Sequence, residues 1–569
     1  MATASSSSAS ASSGTSSPAG RDLLLLGLGF ALLFGLRLGG HPLANPDEAR
    51  YAEIPREMVA AGEWVTPRLN GVNYFEKPPL MYWAVAASLG AFGPAEWAMR
   101  LAPAGFALAG VLVTYAAARR LGGRESAMAA VVVLGSSILY FGLARTLLLD
   151  MAVSVLMSAT LFCFVLGVRE PVPSRRRWLF YGLYASAALA VLTKGLIGVL
   201  LSGAVMFTWL LVFNQWKRLR PLYLPTGLLV FAAIAVPWHV VVAQRNPDWA
   251  HFYFVREHWE RFTTTAHGRY EPFWYFIPVI VVGLFPWMGF VVPALRRGLK
   301  GGWAARQANA DQWFLVTWAV VVFLFFSKSQ SKLIPYILPV FPPLAVLVGA
   351  YLGGKWTGRD AGIRLRDGFG AFGIMCFVLG TGLLVAVLGA GVVKDAAQLQ
   401  ALRPFGVGLG VFLLAASVAV PWLTRRRGFR PALAGLLMTV AVFYGGLAFA
   451  QVHIARPATK ELANIVAARA AAGDRIYHYH DFFHDFVFYA AREVGVVGYY
   501  GELEVKEDPQ AAASGRFIDD AEFRRQWGQP GRIWLVARKR AVGELFADPS
   551  FRYHLIAETR GHYLLSNQP

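Results

Sequence analysis

A polytopic α-helical membrane protein, closed at its C-terminal end by a small soluble α/β domain, is the fold class this sequence predicts. Three observations predict it. The 569 residues are 56% hydrophobic and only 15% charged, with a mean hydropathy of +0.45. Apolar runs recur up to about residue 452 and then give way to a more polar composition. The arginines and lysines lie in short clusters between the runs, so the net charge of +20 reads as membrane topology and excludes a nucleic-acid binder. Cys163 and Cys376 both fall within apolar runs, so neither a disulfide framework nor a cysteine metal site is indicated.

Residues 1–20 are rich in Ala, Ser and Gly without apolar periodicity and read as a disordered cytoplasmic tail. The membrane domain occupies 21–452. Fourteen apolar runs start near residues 22, 79, 98, 125, 147, 177, 195, 222, 274, 312, 333, 369, 405 and 431. Six basic clusters decide which of them span. They are Arg119-Arg120-Arg124, Arg169 with Arg175-Arg176-Arg177, Lys217-Arg218-Arg220, Arg296-Arg297-Lys300, Lys355 with Arg359-Arg364-Arg366, and Arg425-Arg426-Arg427. If the run at 79–93 crosses, every cluster falls on the outer side; if it lies along the outer interface, all six are cytoplasmic. That run has about 15 residues where a span needs roughly 20. About thirteen spans follow, with the N-terminus inside and the C-terminus outside. The loops 38–97 and 244–273 then share the outer face with residues 453–569. No ATP or nucleotide sugar is present there, so a reaction on that face must draw on a lipid-carried donor or a gradient.

The first outer loop is the densest cluster of charge, aromatics and prolines in the first half of the chain, NPDEARYAEIPREMVAAGEWVTPRLNGVNYFEKPPLMYW over 45–83. Asn45 suits a helix cap and Pro46 the first helical position, with the helix running to about Gly62 and disturbed near Pro55. Asp47 and Arg50, three apart, share a face. Asp47 and Glu48 either complement the helix dipole or point a carboxylate at chemistry. In YFEKPP, the proline pair extends the backbone and sets the directions of Glu76 and Lys77. Further charges fall at the outer ends of spans: Arg145 and Asp150, Lys194, Lys328 and Lys332. At such depth they are costly unless paired or functional. The loop 244–273 adds a second polar cluster with Arg256, Glu257, His258, Glu260, Arg261, His267 and Arg269.

Beyond residue 452, strand-like runs at 475–480, 496–500 and 532–536 alternate with helical stretches at 458–472 and 482–492, the pattern of a small α/β domain. His478 and His480 share a strand face with His484 close behind, and read as surface histidines rather than a metal site.

Taken together, DEARYAEIPREM at 47–58, YFEKPPLMYW at 74–83 and LTKG at 192–195 resemble the bacterial aminoarabinose transferases that modify lipid A, C-type glycosyltransferases related to protein O-mannosyltransferases. EHWERF at 257–262, PFWYFIPVIVVGLFPW at 272–287 and KLIPYILPVFPPLA at 332–345 extend the resemblance over nearly all of the membrane part. The resemblance implies transfer of 4-amino-4-deoxy-L-arabinose from undecaprenyl phosphate to a lipid A phosphate, at the periplasmic face of the bacterial inner membrane, with resistance to cationic antimicrobial peptides as the consequence. It implies catalytic roles for Asp47, Asp150 and Lys77, and substrate-binding roles for Arg50, Tyr74, Lys194, Arg261 and Tyr336. Glu76 and His258 are the candidates to hold a divalent metal ion, at a spacing that is not diagnostic. The expected partners are the lipid-linked donor, lipid A and the surrounding lipids, and the chain is expected to act as a monomer. Two other readings fit the residues: a related transferase moving another polyprenyl-phosphate-linked sugar to lipid or protein, and a transporter or flippase for a lipid-linked substrate. Against transport, polar groups gather at the outer ends of spans and no internal repeat is visible.

Overall fold

The structure is a computed structural model that describes residues 18–260, 271–359, 366–389, 391–393, 395–454, 459–499, 501, 503, 505 and 508–569. The tail expected over 1–20 lies outside the described residues as far as residue 17, and a helix already begins at Pro18.

The membrane part is an α-helical bundle: α1 (Pro18–Gly35), α4 (Glu96–Gly122), α5 (Arg124–Gly135), α6 (Ile138–Ala144), α7 (Leu149–Gly167), α8 (Pro173–Lys194), α9 (Ile197–Phe213) and α10 (Leu224–Arg245), then α11 (Phe276–Gly283), α12 (Val291–Gly298), α13 (Ala310–Lys328), α14 (Phe341–Trp356), α15 (Arg366–Leu388), α16 (Ala396–Arg426) and α17 (Phe429–Ile454). Among the described residues, eight helices are individually long and apolar enough to cross a membrane, α14 being counted with the 3-10 turn Ile334–Val340 before it. Two broken pairs bring the number to ten: α5 with α6, bent by 67°, and α11 with the segment Met288–Gly298, bent by 102°. The other predicted spans coincide with α1 and α9, of 18 and 17 residues, and with α8, which opens on the Arg175–Arg177 cluster. The run at 79–93 forms α3 (Leu80–Phe92), whose 13 residues reach about 20 Å, too short to span. It packs between α2 (Asp47–Ala61) and α4.

Close helix contact fixes the bundle at one seam. A Cβ on Gly349 of α14 would lie 2.5 Å from the amide nitrogen of Ala130 in α5, and one on Gly353 would lie 2.6 Å from that of Ser126. Only glycine lets these two backbones touch.

The C-terminal domain carries a six-stranded sheet in the order β5-β4-β3-β6-β8-β7, with β3 (Arg475–Tyr479), β4 (Gly495–Val497), β5 (Phe517–Ile518), β6 (Ile533–Arg538), β7 (His554–Glu558) and β8 (His562–Ser566). β3 through β6 run parallel, while β8 is antiparallel to β6 and β7 to β8. Side chains alternate between its faces. Ile476, Val496, Trp534 and Leu564 pack towards the loop 38–97, and Tyr477, Val497, Leu535 and Leu565 towards the far side. α18 (Lys460–Arg469) and α19 (His484–Ala490) lie on the loop-facing side. The expected strands and helices are present, and β5, β7 and β8 were not foreseen. His478 and His484 are not surface residues: both are buried, and His478 Nδ1 accepts from the Phe483 amide at 3.2 Å.

Candidate active site

α2 is amphipathic in an unusual sense, because its buried positions include charges. Glu48, Arg50 and Glu53 are all buried, beside Ala49, Ala52 and Ile54. The helix ends as expected on Gly62, at φ 64°, and runs continuously through Pro55. Its start differs from the expectation. Pro46 occupies the cap position, and no side chain caps the helix. Asn45 turns instead to the C-terminal domain and pairs with Asp485. The reason is competition: a buried carboxylate offers the Asn45 amide a stronger acceptor than the helix offers it a donor.

Glu48 is likewise no dipole complement. Its carboxylate accepts from Arg100 Nε at 2.8 Å and Nη2 at 2.7 Å, and from the backbone amides of Leu147 and Ala44 at 2.9 and 3.1 Å. Burial alone would raise this carboxyl, but the Arg100 guanidinium and the two amides hold it below its ordinary value. Arg100 is fully buried and also donates to the carbonyls of Leu38, His41 and Pro42. This network ties α2 to the end of α4 and to the turn before α7. Arg145 anchors the same end, donating to Phe34 O at 2.7 Å and Gln451 Oε1 at 3.1 Å. It is structural.

One residue away, Asp47 is 54% exposed and ion-paired with Arg50. The Arg50 guanidinium carbon sits 5.1 Å from the centre of the Tyr51 ring and 5.9 Å from that of Tyr74. Beyond these rings lies a cavity of about 160 Å³. Glu76, Lys77, Asp150, Lys194, Ser329, Ser331 and Tyr336 supply its polar lining, and Val153, Met157, Ile197, Phe325, Phe326, Pro335 and Pro339 its apolar walls. Asp150, Val153 and Met157 recur at helical spacing, so α7 presents one stripe to the cavity with its charge at the helix N-terminus. Lys194, at the C-terminal end of α8, donates to Asp150 Oδ1 at 2.5 Å and lies 4.4 Å from the Tyr336 ring centre. Both charges thereby complement their helix dipoles. Lys77 Nζ donates to the Glu76 carbonyl at 2.8 Å and stands 3.5 Å from the Glu76 carboxylate.

Five of the ten residues singled out from the sequence, Glu76, Lys77, Asp150, Lys194 and Tyr336, meet in this cavity, and Asp47, Arg50 and Tyr74 form the adjoining group. Arg261 and the side chain of His258 lie outside the described residues. Lys328, the last residue of α13, is exposed; Lys332 is buried and donates to the carbonyls of Glu271 at 2.7 Å and Ser329 at 2.6 Å. Tyr51 is a residue the sequence reading passed over. Burial pushes its phenol up, Arg50 opposes, and the Asp47, Glu76 and Asp150 carboxylates add to the rise, so it stands in the field of both groups. Its place in the DEARY stretch, one position after Arg50, was the available signal. At the expected metal position Glu76 faces an ammonium, and no group of three His, Cys, Asp or Glu able to hold an ion occurs among the described residues.

Residues 30–253 match the family model of dolichyl-phosphate-mannose-protein mannosyltransferase. An undecaprenyl phosphate-alpha-4-amino-4-deoxy-L-arabinose arabinosyl transferase of Yersinia pestis is 31% identical over 411 residues, covering 71% of this chain and 72% of the relative. The chain belongs to this arabinosyl transferase family. A second member, from Pectobacterium carotovorum, is 36% identical over 370 residues, and the match takes in 64% of each chain. The crystal structure of ArnT from Cupriavidus metallidurans bound to undecaprenyl phosphate superposes with a TM-score of 0.83 at 28% identity, covering 96% of this chain and 98% of that one. The likeness to that structure therefore extends to the C-terminal domain.

Proposed function

We propose that the chain transfers 4-amino-4-deoxy-L-arabinose from undecaprenyl phosphate to a phosphate of lipid A. The observation that carries this reading is the cavity itself, where ammonium and carboxylate groups sit at the head of apolar walls. Phe325, Phe326, Met157, Val153 and Ile197 suit an isoprenoid chain, and Lys77 suits its phosphate. The named substrates of the relatives support the sugar.

In the reaction the acceptor phosphate oxygen attacks the anomeric carbon, and the bond to the lipid phosphate oxygen breaks with its electron pair leaving on that phosphate. The acceptor oxygen is ionised near neutral pH, so a strong base is not required. Holding two anions together is the harder task. Lys77 neutralises the leaving phosphate and Arg50, joined by Arg261, orients the acceptor. Asp47 orients the acceptor, accepts any remaining proton or engages the sugar's ammonium. Asp150 holds Lys194 over Tyr336, so that this cation is partly satisfied before any ligand enters. A divalent ion, if bound, would be held by Glu76 with His258 as second donor and would supply a further positive charge. Chelation of the purified protein tests it: lost transfer that returns with Mg²⁺ or Mn²⁺ supports the ion, and unchanged transfer removes it.

The site opens at the periplasmic face of the inner membrane in this reading. The basic clusters support it, since Arg119 and Arg124 pair with Asp22 at the end of the bundle away from α2. Tags at residues 1 and 569 should report opposite sides. Lipid A from a strain lacking this gene, analysed by mass spectrometry with and without the gene supplied, tests the function. An added aminopentose is expected; a shift of a different sugar mass, or none, overturns it.

A further inference from the structure

The chain just before Asp47 is gripped from the C-terminal domain. Asp485 and Tyr489 lie four apart on α19 and so share a face. Tyr489 Oη accepts from the Leu43 amide at 2.9 Å and donates to Glu96 at 3.0 Å. Asp485 is fully buried. One of its carboxylate oxygens accepts a short hydrogen bond from Asn45 Nδ2, while its backbone amide donates to Asn45 Oδ1 at 3.0 Å. The other carboxylate oxygen accepts from the Thr459 amide at 2.5 Å. The pair is reciprocal and directional: turning the Asn45 amide over would set donor against donor and acceptor against acceptor. Asn45 stands two residues before Asp47, whose own carboxylate is mostly exposed and paired with Arg50 of the same helix. The first turn of α2 is thus located from two sides, by Glu48 towards the membrane helices and by Asn45 towards the soluble domain.

We propose that Asp485 is a positioning residue for the transfer: through Asn45 it sets the first turn of α2, and with it Asp47 and Arg50. Through this pair the C-terminal domain acts on the chemistry. The inference rests on the catalytic reading of Asp47. A misplacement of about 1 Å costs on the order of a hundredfold in rate, which makes a single hydrogen-bonded pair sufficient.

A reciprocal exchange tests it in the full-length protein, in detergent or vesicles, with lipid-linked donor and lipid A. Asp485→Asn sets an amide donor against an amide donor, and Asn45→Asp sets carboxylate against carboxylate. The double variant N45D/D485N restores a donor facing an acceptor at every contact, including the one to the Thr459 amide. Each single variant should lower kcat by about tenfold or more with KM for the donor little changed, and the exchanged pair should return kcat to within about threefold of wild type. Wild-type kcat in both singles, or a folded double variant that stays slow, overturns the proposal. If the singles do not accumulate, the folded double variant alone decides by its kcat. A wild-type protein that transfers no aminopentose overturns the functional reading as well; an active wild type with insensitive variants overturns this inference alone.

Discussion

The two halves of the candidate site are held in different ways. Asp150, Lys194 and Tyr336 stand on membrane helices and satisfy one another: ammonium on carboxylate at 2.5 Å, ammonium over ring at 4.4 Å. Asp47 and Arg50 stand on the short helix α2, whose placement comes from neighbours, Arg100 on one side and Asp485 on the other. The first half is finished before a ligand arrives. The second half takes its accuracy from those neighbours. Asp47, which answers to the ligand in the proposed reaction, is left exposed, while Glu48 beside it is buried and fully paired. On that reading neighbouring carboxylates on one helical turn divide the work between chemistry and support.

Breaking the support should have the largest effect. Glu48→Ala strands the buried Arg100 guanidinium, a loss of about 3–5 kcal/mol, and should be seen as loss of folded protein after solubilisation rather than as a slow enzyme. Asp47→Asn is its opposite. The melting temperature should hold, because the side chain is exposed, while transfer falls on the order of 10²–10⁴-fold; a severalfold loss would reduce Asp47 to a partner for Arg50. Next comes the pre-formed half. Tyr336→Leu removes the ring beneath Lys194, a contact of roughly 0.5–2 kcal/mol, and should raise KM for the lipid-linked donor severalfold, whereas Tyr336→Phe should keep it near wild type. The smallest effect is expected from pH. Burial pushes Glu53 up to about 8 against the Arg56 guanidinium, with Glu57 beside it. The raised value means that the contribution is present at low pH and is lost as pH rises through about 8. Wild type should melt a few degrees lower at pH 9 than at pH 6, and Glu53→Gln should flatten that dependence.

Much of this was legible in the sequence because membrane helices and basic clusters obey one-dimensional rules. Length and hydropathy separated α3 from the spans, and charge parity agreed. The cavity residues were legible for the same reason: a charge at the end of an apolar run has few uses. The support was not legible. Nothing local distinguishes Glu48 from Asp47, since both sit in the first turn of α2, and only Arg100, 52 residues on, makes one structural. Asn45 was read as a helix cap because its true partner, Asp485, lies 440 residues away. β7 was missed because an exposed edge strand lacks the unbroken apolar run that marked β6, and the buried β8 because its apolar run is only three residues between His562 and Ser566.

The glycine contact between α5 and α14 bears on attempts to retune the substrate. Gly349 and Gly353 leave no room for a side chain without forcing two spans apart, so a mutant library that includes them would be spent mostly on unfolded clones. Val153, Met157 and Ile197 line the cavity and offer volume to trade. Apolar exchanges of similar volume at these wall positions, with the seam untouched, are the route to altering the length and shape of lipid accepted in the proposed reaction.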